Sequence, residues 1–427
     1  MFMLSVIGVF LGTSLLGMPI FFAFGVTALF ACLVGDFPMQ IIAQRMLMGM
    51  DSFVLLAVPG FVLVGDIMCR GGISQRAVDF SNSLIGHFRG GLAMVTVFTG
   101  MIMGGISGSA VADTAAVGSV LIPGMEKENY PKDFSAAVVG TAGPLGNIIP
   151  PSIPMIVYSM TAGLSLLDLF LSGYIPGMMI GFSLMLSCHL ICKRKGYGPA
   201  HGSMKFSLLN VWLTFKRAAW ALLTPILVVG GIVTGIFTPT ESAMIGVFYC
   251  LIIALFVYKE MSWSELPDLL LNAAKTTAKL VIIMASAAVF SYISINEGVP
   301  EMFEKFMLSI SSNKYVILFL LNCILLCMGM LIDILVATII IVPVLIPLGE
   351  SIGIEPLHMA MMFVMNMSIG LLTPPVGYCL YVSAAIAKVP MERVAHFAIP
   401  LVITMLGILT LITIFPQLTL FIPSLIH

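Results

Sequence analysis

The stretch Gly104-Gly105-Ile106-Ser107-Gly108-Ser109-Ala110-Val111-Ala112-Asp113 breaks an apolar run that extends from about residue 91 to 123. Small and hydroxylated residues in the middle of such a run interrupt a helix where little water is at hand. In hydrocarbon every unpaired amide or carbonyl costs several kcal/mol, so a turn survives there only when protein buries it or a wet cavity receives it. A second apolar run, 315–348, is interrupted in the same way between Gly329 and Asp333. Both runs read as re-entrant helical hairpins; a pair of full crossings in each is the standing alternative.

The flanking sequence repeats as well. Asp113 precedes Pro123 by ten residues, and Asp333 precedes Pro343 by ten. Each run leads into a further apolar segment, about 134–163 and about 358–388, that carries the form Gly-x-x-x-Pro-Pro: Gly146 to Pro150-Pro151 in one, Gly370 to Pro374-Pro375 in the other. A proline pair removes two donors and releases carbonyls one turn earlier, so each segment should be a broken helix. Upstream, Gly72-Ile73 and Gly298-Val299 hold roughly corresponding places. Two kinks of equal spacing, each following an interrupted run, are hard to obtain by chance.

Composition fixes the solvent. Of 427 residues 59% are hydrophobic and only 9% are Asp, Glu, Lys or Arg, against about 25% charged in soluble domains. That excludes a water-soluble globular enzyme, and a net charge of −1 gives no support for nucleic-acid binding. Runs long enough to cross a bilayer lie near 3–34, 52–69, 134–163, 168–192, 218–235, 243–258, 279–296, 358–388 and 394–415. The first is expected to stay as a membrane helix rather than act as a cleaved signal, because it lacks a basic start and a small-residue cleavage site.

With each hairpin returning to the side it came from, sixteen of the nineteen cations fall on one side, leaving Arg45, Lys305 and Lys314 on the other. The positive-inside rule makes the first side cytoplasmic. The segment 193–217 holds six cations and no acid, which marks a cytoplasmic linker between a first half, 1–192, and a second half, 218–427. The two interrupted runs then enter from opposite sides. The predicted fold class is an all-α polytopic membrane protein built as an inverted repeat, an architecture that places substrate and ion sites near the midplane between broken helices.

The candidate residues follow from this placement. Serine hydroxyls and released carbonyls are hard oxygen ligands suited to Na⁺, and helix N-termini favour a carboxylate. Ser107, Gly108 and Ser109 offer such oxygens at the first break, with Asn147 and Ser152 flanking the first proline pair, and Asn366 and Thr373 the second. A small-residue packing face at Gly104, Gly105, Gly108 and Ala110 is the plainer reading of the first motif. Asp113 and Asp333 are ionisable groups within apolar stretches, which points to function; Asp113 is expected as a cap or a support behind the tip, and Asp333 as either cap or ligand. The eight cysteines and six histidines form no motif of metal or nucleophile type. A Gly-x-Ser-Gly match at Gly105 to Gly108 would fit an intramembrane serine protease using Ser107, but no histidine lies at matching depth and the repeat would be left unexplained.

These motifs carry a family resemblance. The run Gly105 to Ala116, Ile149-Pro150-Pro151-Ser152-Ile153-Pro154, Phe237-Thr238-Pro239-Thr240-Glu241-Ser242-Ala243, and Asn366 through Thr373-Pro374-Pro375-Val376-Gly377 resemble the large membrane subunit of TRAP (tripartite ATP-independent periplasmic) transporters. Asp51-Ser52-Phe53 and Gly86-His87-Phe88-Arg89-Gly90-Gly91 extend the likeness nearly end to end. The resemblance implies an elevator-type transporter of the bacterial inner membrane that takes an organic acid from a periplasmic binding protein, coupled to Na⁺, beside a small four-helix membrane subunit on a separate chain. It implies Na⁺ ligands at Ser107, Gly108, Ser109, Asn147 and Pro150 on one side and at Gly329, Asp333, Gly370 and Thr373 on the other. The substrate would lie between, near Ser109, Ser152, Asn366, Thr373 and Gly377. Asn147 stands where family members usually carry an apolar residue. An amphipathic stretch such as Ile73–Phe88, or the 259–278 segment, would brace the scaffold at the interface, with ordinary connecting helices as the equal alternative for both. A stand-alone Na⁺/carboxylate symporter is the alternative, and sialic acid, C4-dicarboxylates and sugar-derived keto acids remain open as substrates.

Overall fold

A computed structural model describes residues 2–35, 37–199 and 206–426. His201 and Lys205 of the basic linker, and His427, lie outside the described residues. Among the described residues no strand occurs, and six helices are long and apolar enough to cross a membrane, or seven if one bent pair is a single span.

The first half opens with α1 (Phe2–Leu15) and α2 (Ile20–Val34), followed by α3 (Gln40–Met50), α4 (Ala57–Arg70) and α5 (Ile73–Ile85). The expected single span over 3–34 is therefore wrong. Gly17 adopts a left-handed φ of +81° and Pro19 opens the next helix, so the chain doubles back, stacking Phe10 on Phe24 at 4.7 Å. Helices α3 and α4 form a pair bent by 59°. Helix α5 buries Ile73, Ala77, Val78 and Ser81, the amphipathic face expected of this stretch.

The first interrupted run becomes α6 (Gly91–Ser107) and α7 (Ala110–Lys127), packed side by side. The segment after it is broken into α8 (Lys132–Ala142), α9 (Leu145–Ile148) and α10 (Ile153–Ala162), and α11 (Leu166–Lys195) closes the half.

The second half runs through α12 (Leu208–Val233), α13 (Pro239–Ile252), α14 (Leu266–Asn296), α15 (Val299–Ile310), α16 (Lys314–Gly329), α17 (Ile334–Ser351), α18 (Pro356–Gly370), α19 (Tyr378–Ala387), α20 (Met391–Ile414) and α21 (Gln417–Ile426). The 279–296 span and the 259–278 brace are corrected together. Apart from its first few residues the brace is the start of α14, a single helix of 31 residues. Lys275 and Lys279 looked like a boundary, but lysine stems lie along apolar surface while their ammonium groups reach water. At 1.5 Å per residue α14 spans about 46 Å, longer than the roughly 30 Å hydrocarbon layer, so it projects or tilts.

The two halves match locally. Gly72 and Gly298, both left-handed with φ of +70° and +69°, start α5 and α15. The Pro150–Pro151 and Pro374–Pro375 peptides are both cis. Packing is reciprocal between halves: α10 lies along α17, and α19 along α7. Each half-helix released by a proline pair thus leans on the descending arm of the other half's interrupted run, and this exchange brings the two breaks to one place.

Candidate functional site

The first break is closed by polar bonds. Gly108 turns the chain with a φ of +66°, and a Cβ there would meet Pro151 O at 2.7 Å, so only glycine fits both the angle and the space. The Ile153 amide donates to Gly108 O at 3.2 Å, tying the tip to the first proline break. Asn147 Oδ1 accepts from the Ala110 amide at 3.1 Å, and the Ser152 hydroxyl donates to Asn147 O at 2.6 Å. Ser109 caps α7, its Oγ accepting from the Ala112 amide at 3.5 Å. Of the two roles expected of Asp113, cap or support behind the tip, the cap is supplied by Ser109 and the support is the one Asp113 takes. Asp113 instead accepts from the Ser107 hydroxyl at 2.5 Å, and Ser107 Oγ in turn accepts from the Ser109 amide at 3.2 Å. The Asp113 carboxylate supports the tip from behind, its Oδ2 buried without a partner beside Gly146, where any side chain would strike it.

The second break is simpler. Asp333 caps α17, Oδ1 accepting from the Leu335 amide at 2.9 Å. Gly329 and Gly370 touch backbone to backbone: a Cβ at Gly370 would meet Gly329 C at 2.5 Å. Thr373 donates to Ile369 O at 3.3 Å. Gly377 is left-handed with φ +53° and starts α19. Asn366 is fully buried and donates to Asn322 Oδ1 and Met362 O, both at 2.7 Å, while Asn322 donates to Thr413 at 2.9 Å.

A cavity of about 170 Å³ joins the breaks, and its wall includes Gly108, Ser109, Asn147 and Asp333. Four helices begin on that wall: α7 at Ala110, α10 at Ile153, α17 at Ile334 and α19 at Tyr378. Each N-terminus carries roughly half a positive charge from its aligned peptides, so together they present about two. The far wall comes from Thr276 and Leu280 of α14. The site thus offers uncharged oxygens, one carboxylate at Asp333, and converging positive helix ends.

Of the residues singled out from sequence, Gly108, Ser109, Asn147 and Asp333 share this cavity. Ser107 and Ser152 lie off its wall but bond to those residues, Ser107 to the Ser109 amide and Ser152 to Asn147 O, and Pro150 lies off the wall. Gly329, Gly370, Thr373 and Gly377 surround the second break off the cavity wall, and Asn366 lies deeper, in the chain with Asn322 and Thr413. The sequence reading passed over Tyr378, Leu371 and Thr276. Tyr378 follows Gly377 and opens a helix, which a reading of the second break as a mirror of the first would have found; Thr276 carried no signal, because its place depends on how α14 packs. Among the described residues no histidine bonds Ser107, whose oxygen is engaged by Asp113 and the Ser109 amide.

Comparison with known proteins shows the family. Residues 7–418 match the family model "Tripartite ATP-independent periplasmic transporter, DctM component". The chain is 37% identical to the 2,3-diketo-L-gulonate TRAP transporter large permease protein YiaN of Escherichia coli, with 98% of each chain covered. It is 36% identical to the sialic acid TRAP transporter large permease protein SiaM of Vibrio cholerae, with 97% of each covered. Among solved structures, the YdaH transporter of Alcanivorax borkumensis shares the fold, with a TM-score of 0.59 at 14% identity over 85% of this chain and 87% of that one. These relatives are named as transporters and permeases rather than enzymes. The chain belongs to the TRAP transporter family and is its large membrane permease component.

Proposed function

We propose that the protein carries an organic acid inward across the bacterial inner membrane together with Na⁺, as the translocating subunit of a tripartite system. It works beside a small four-helix membrane subunit, takes its substrate from a periplasmic binding protein, and keeps its basic central loop in the cytoplasm. The observation that carries this reading is the convergence of four helix N-termini on one cavity lined by both breaks. Converging positive ends suit a carboxylate without a dedicated cation. Ser109 Oγ, Asn147 Oδ1, the tip carbonyls and Asp333 are the hard oxygen donors that Na⁺ requires. An anion and a cation held in one low-dielectric space stabilise each other strongly, which is the physical basis for moving them together. The two interrupted runs act as re-entrant hairpins, whose exposed backbone is tolerated because it lines this cavity.

The test is reconstitution into liposomes with the small subunit, with and without the binding protein. Uptake of a labelled organic acid is expected only when both an inward Na⁺ gradient and the loaded binding protein are present. Uptake without any soluble partner would contradict the tripartite reading.

A further inference from the structure

A second cavity, larger than the one between the breaks, lies away from them. It measures about 650 Å³, within the range that holds small organic ligands, and it stacks above the first cavity along the same three helices. On α14 the walls pass from Leu280 to Met284, on α17 from Leu335 to Ile339, each one helical turn, and on α10 from Pro154 to Met160. The two spaces are successive stations along one seam between α14 and the α10–α17 pair.

The larger cavity holds one cation, Arg45. A Cβ at Gly49 would meet Ala288 Cβ at 2.6 Å, so glycine lets α3 close on α14. One turn away on each helix, the Arg45 guanidinium lies over the Tyr292 ring, its Cζ 3.8 Å from the centroid. Such stacking holds the guanidinium flat and leaves its edge donors exposed. Among the described residues Arg45 forms no ion pair. Asp51 and Glu301 also line the cavity, but both are solvent-exposed, where water and salt screen them. Arg45 is also one of the three cations on the sparse side of the charge distribution, the side away from the basic linker.

We propose that this cavity is an outer waiting site, in which the fork of Arg45 takes the carboxylate of the organic acid before the acid passes down the seam to the paired breaks. The inference rests on the transport reading above. A bidentate guanidinium–carboxylate pair is the strong form of this contact, and the hydroxyls of Ser52, Thr161 and Ser291 on the same wall suit a hydroxylated acid. Because Arg45 acts before the carrying step, its loss raises the half-saturating concentration and leaves the maximal rate nearly unchanged.

The experiment uses the whole transporter in liposomes with its partners, and labelled sialic acid, succinate and 2,3-diketo-L-gulonate as probes. For whichever acid is carried, Arg45→Gln is expected to raise the half-saturating concentration about tenfold or more, with the maximal rate within about twofold. Arg45→Lys, which keeps charge and loses the fork, falls between and serves if the glutamine variant does not fold. In parallel, the carried acid without binding protein is expected to slow phenylglyoxal modification of Arg45, read by mass spectrometry. Unchanged half-saturation in both variants overturns the waiting site alone. Altered half-saturation without protection by the acid means that Arg45 meets the binding protein, which also overturns it. Wild-type protein that carries none of the three acids overturns the transport reading and this inference with it.

Discussion

The two breaks share a pattern in sequence but are held in different ways. At the first, the Gly108 carbonyl, the Ala110 amide and the Ser107 hydroxyl each have a partner in α7 or the neighbouring proline segment, and Pro150 and Pro151 are buried. At the second, no hydrogen bond among the described residues joins Gly329–Asp333 to 371–377; Gly329 and Gly370 meet through van der Waals contact, and Pro374 and Pro375 are exposed. Helices α6 and α7 pack on each other, whereas α16 lies mainly along α18 and α17 along α10, α14 and α15. On the transport reading proposed above, the first break is a fixed wall of the site and the second an adjustable one. Hydrogen bonds are directional and fail steeply when stretched, while a backbone contact between glycines slides at little cost.

This contrast can be broken by substitution, and the largest effect is expected at Gly108. Gly108→Ala forces a side chain into a left-handed angle and against Pro151 O, costing about 2 kcal/mol or more; thermal unfolding should drop and uptake vanish. Next comes Asn147→Leu, which strands the buried Ala110 amide at about 1–3 kcal/mol and should lower stability and uptake together. Gly370→Ala also meets backbone, but at the adjustable wall, so its melting temperature should fall less than that of Gly108→Ala. A larger fall at Gly370 would reverse the assignment of fixed and adjustable walls. The smallest stability effects belong to Ser109→Ala and Thr373→Ala. Both should raise the Na⁺ concentration for half-maximal uptake several-fold, Ser109 more than Thr373, because only Ser109 lines the cavity. Equal Na⁺ dependence in both variants and wild type would remove them as ion ligands.

Much of this was legible from residue types alone. The Gly-x-x-x-Pro-Pro breaks and the Gly72 and Gly298 starts depend on local backbone chemistry, and they stand where that chemistry puts them. What failed or was missed depends on contacts remote in sequence. The turn at Gly17 to Pro19 is three residues inside an apolar run, so a hydropathy reading passes over it. Lys279 suggested a span end that α14 ignores. Asn147 carries the pattern's one departure, and its use, accepting the Ala110 amide across 37 residues, appears only when the proline segment and the tip are seen together. Arg45 lies outside every motif, since its cavity is assembled from several helices.

The most direct test of the shared site is simultaneous uptake of radioactive sodium and a labelled organic acid into the same liposomes. If both ligands are held by the paired breaks, sodium should enter only when the acid enters, in a constant ratio, and Ser109→Ala should depress both. Full accumulation of the acid in the absence of Na⁺, with no sodium carried, would contradict the account.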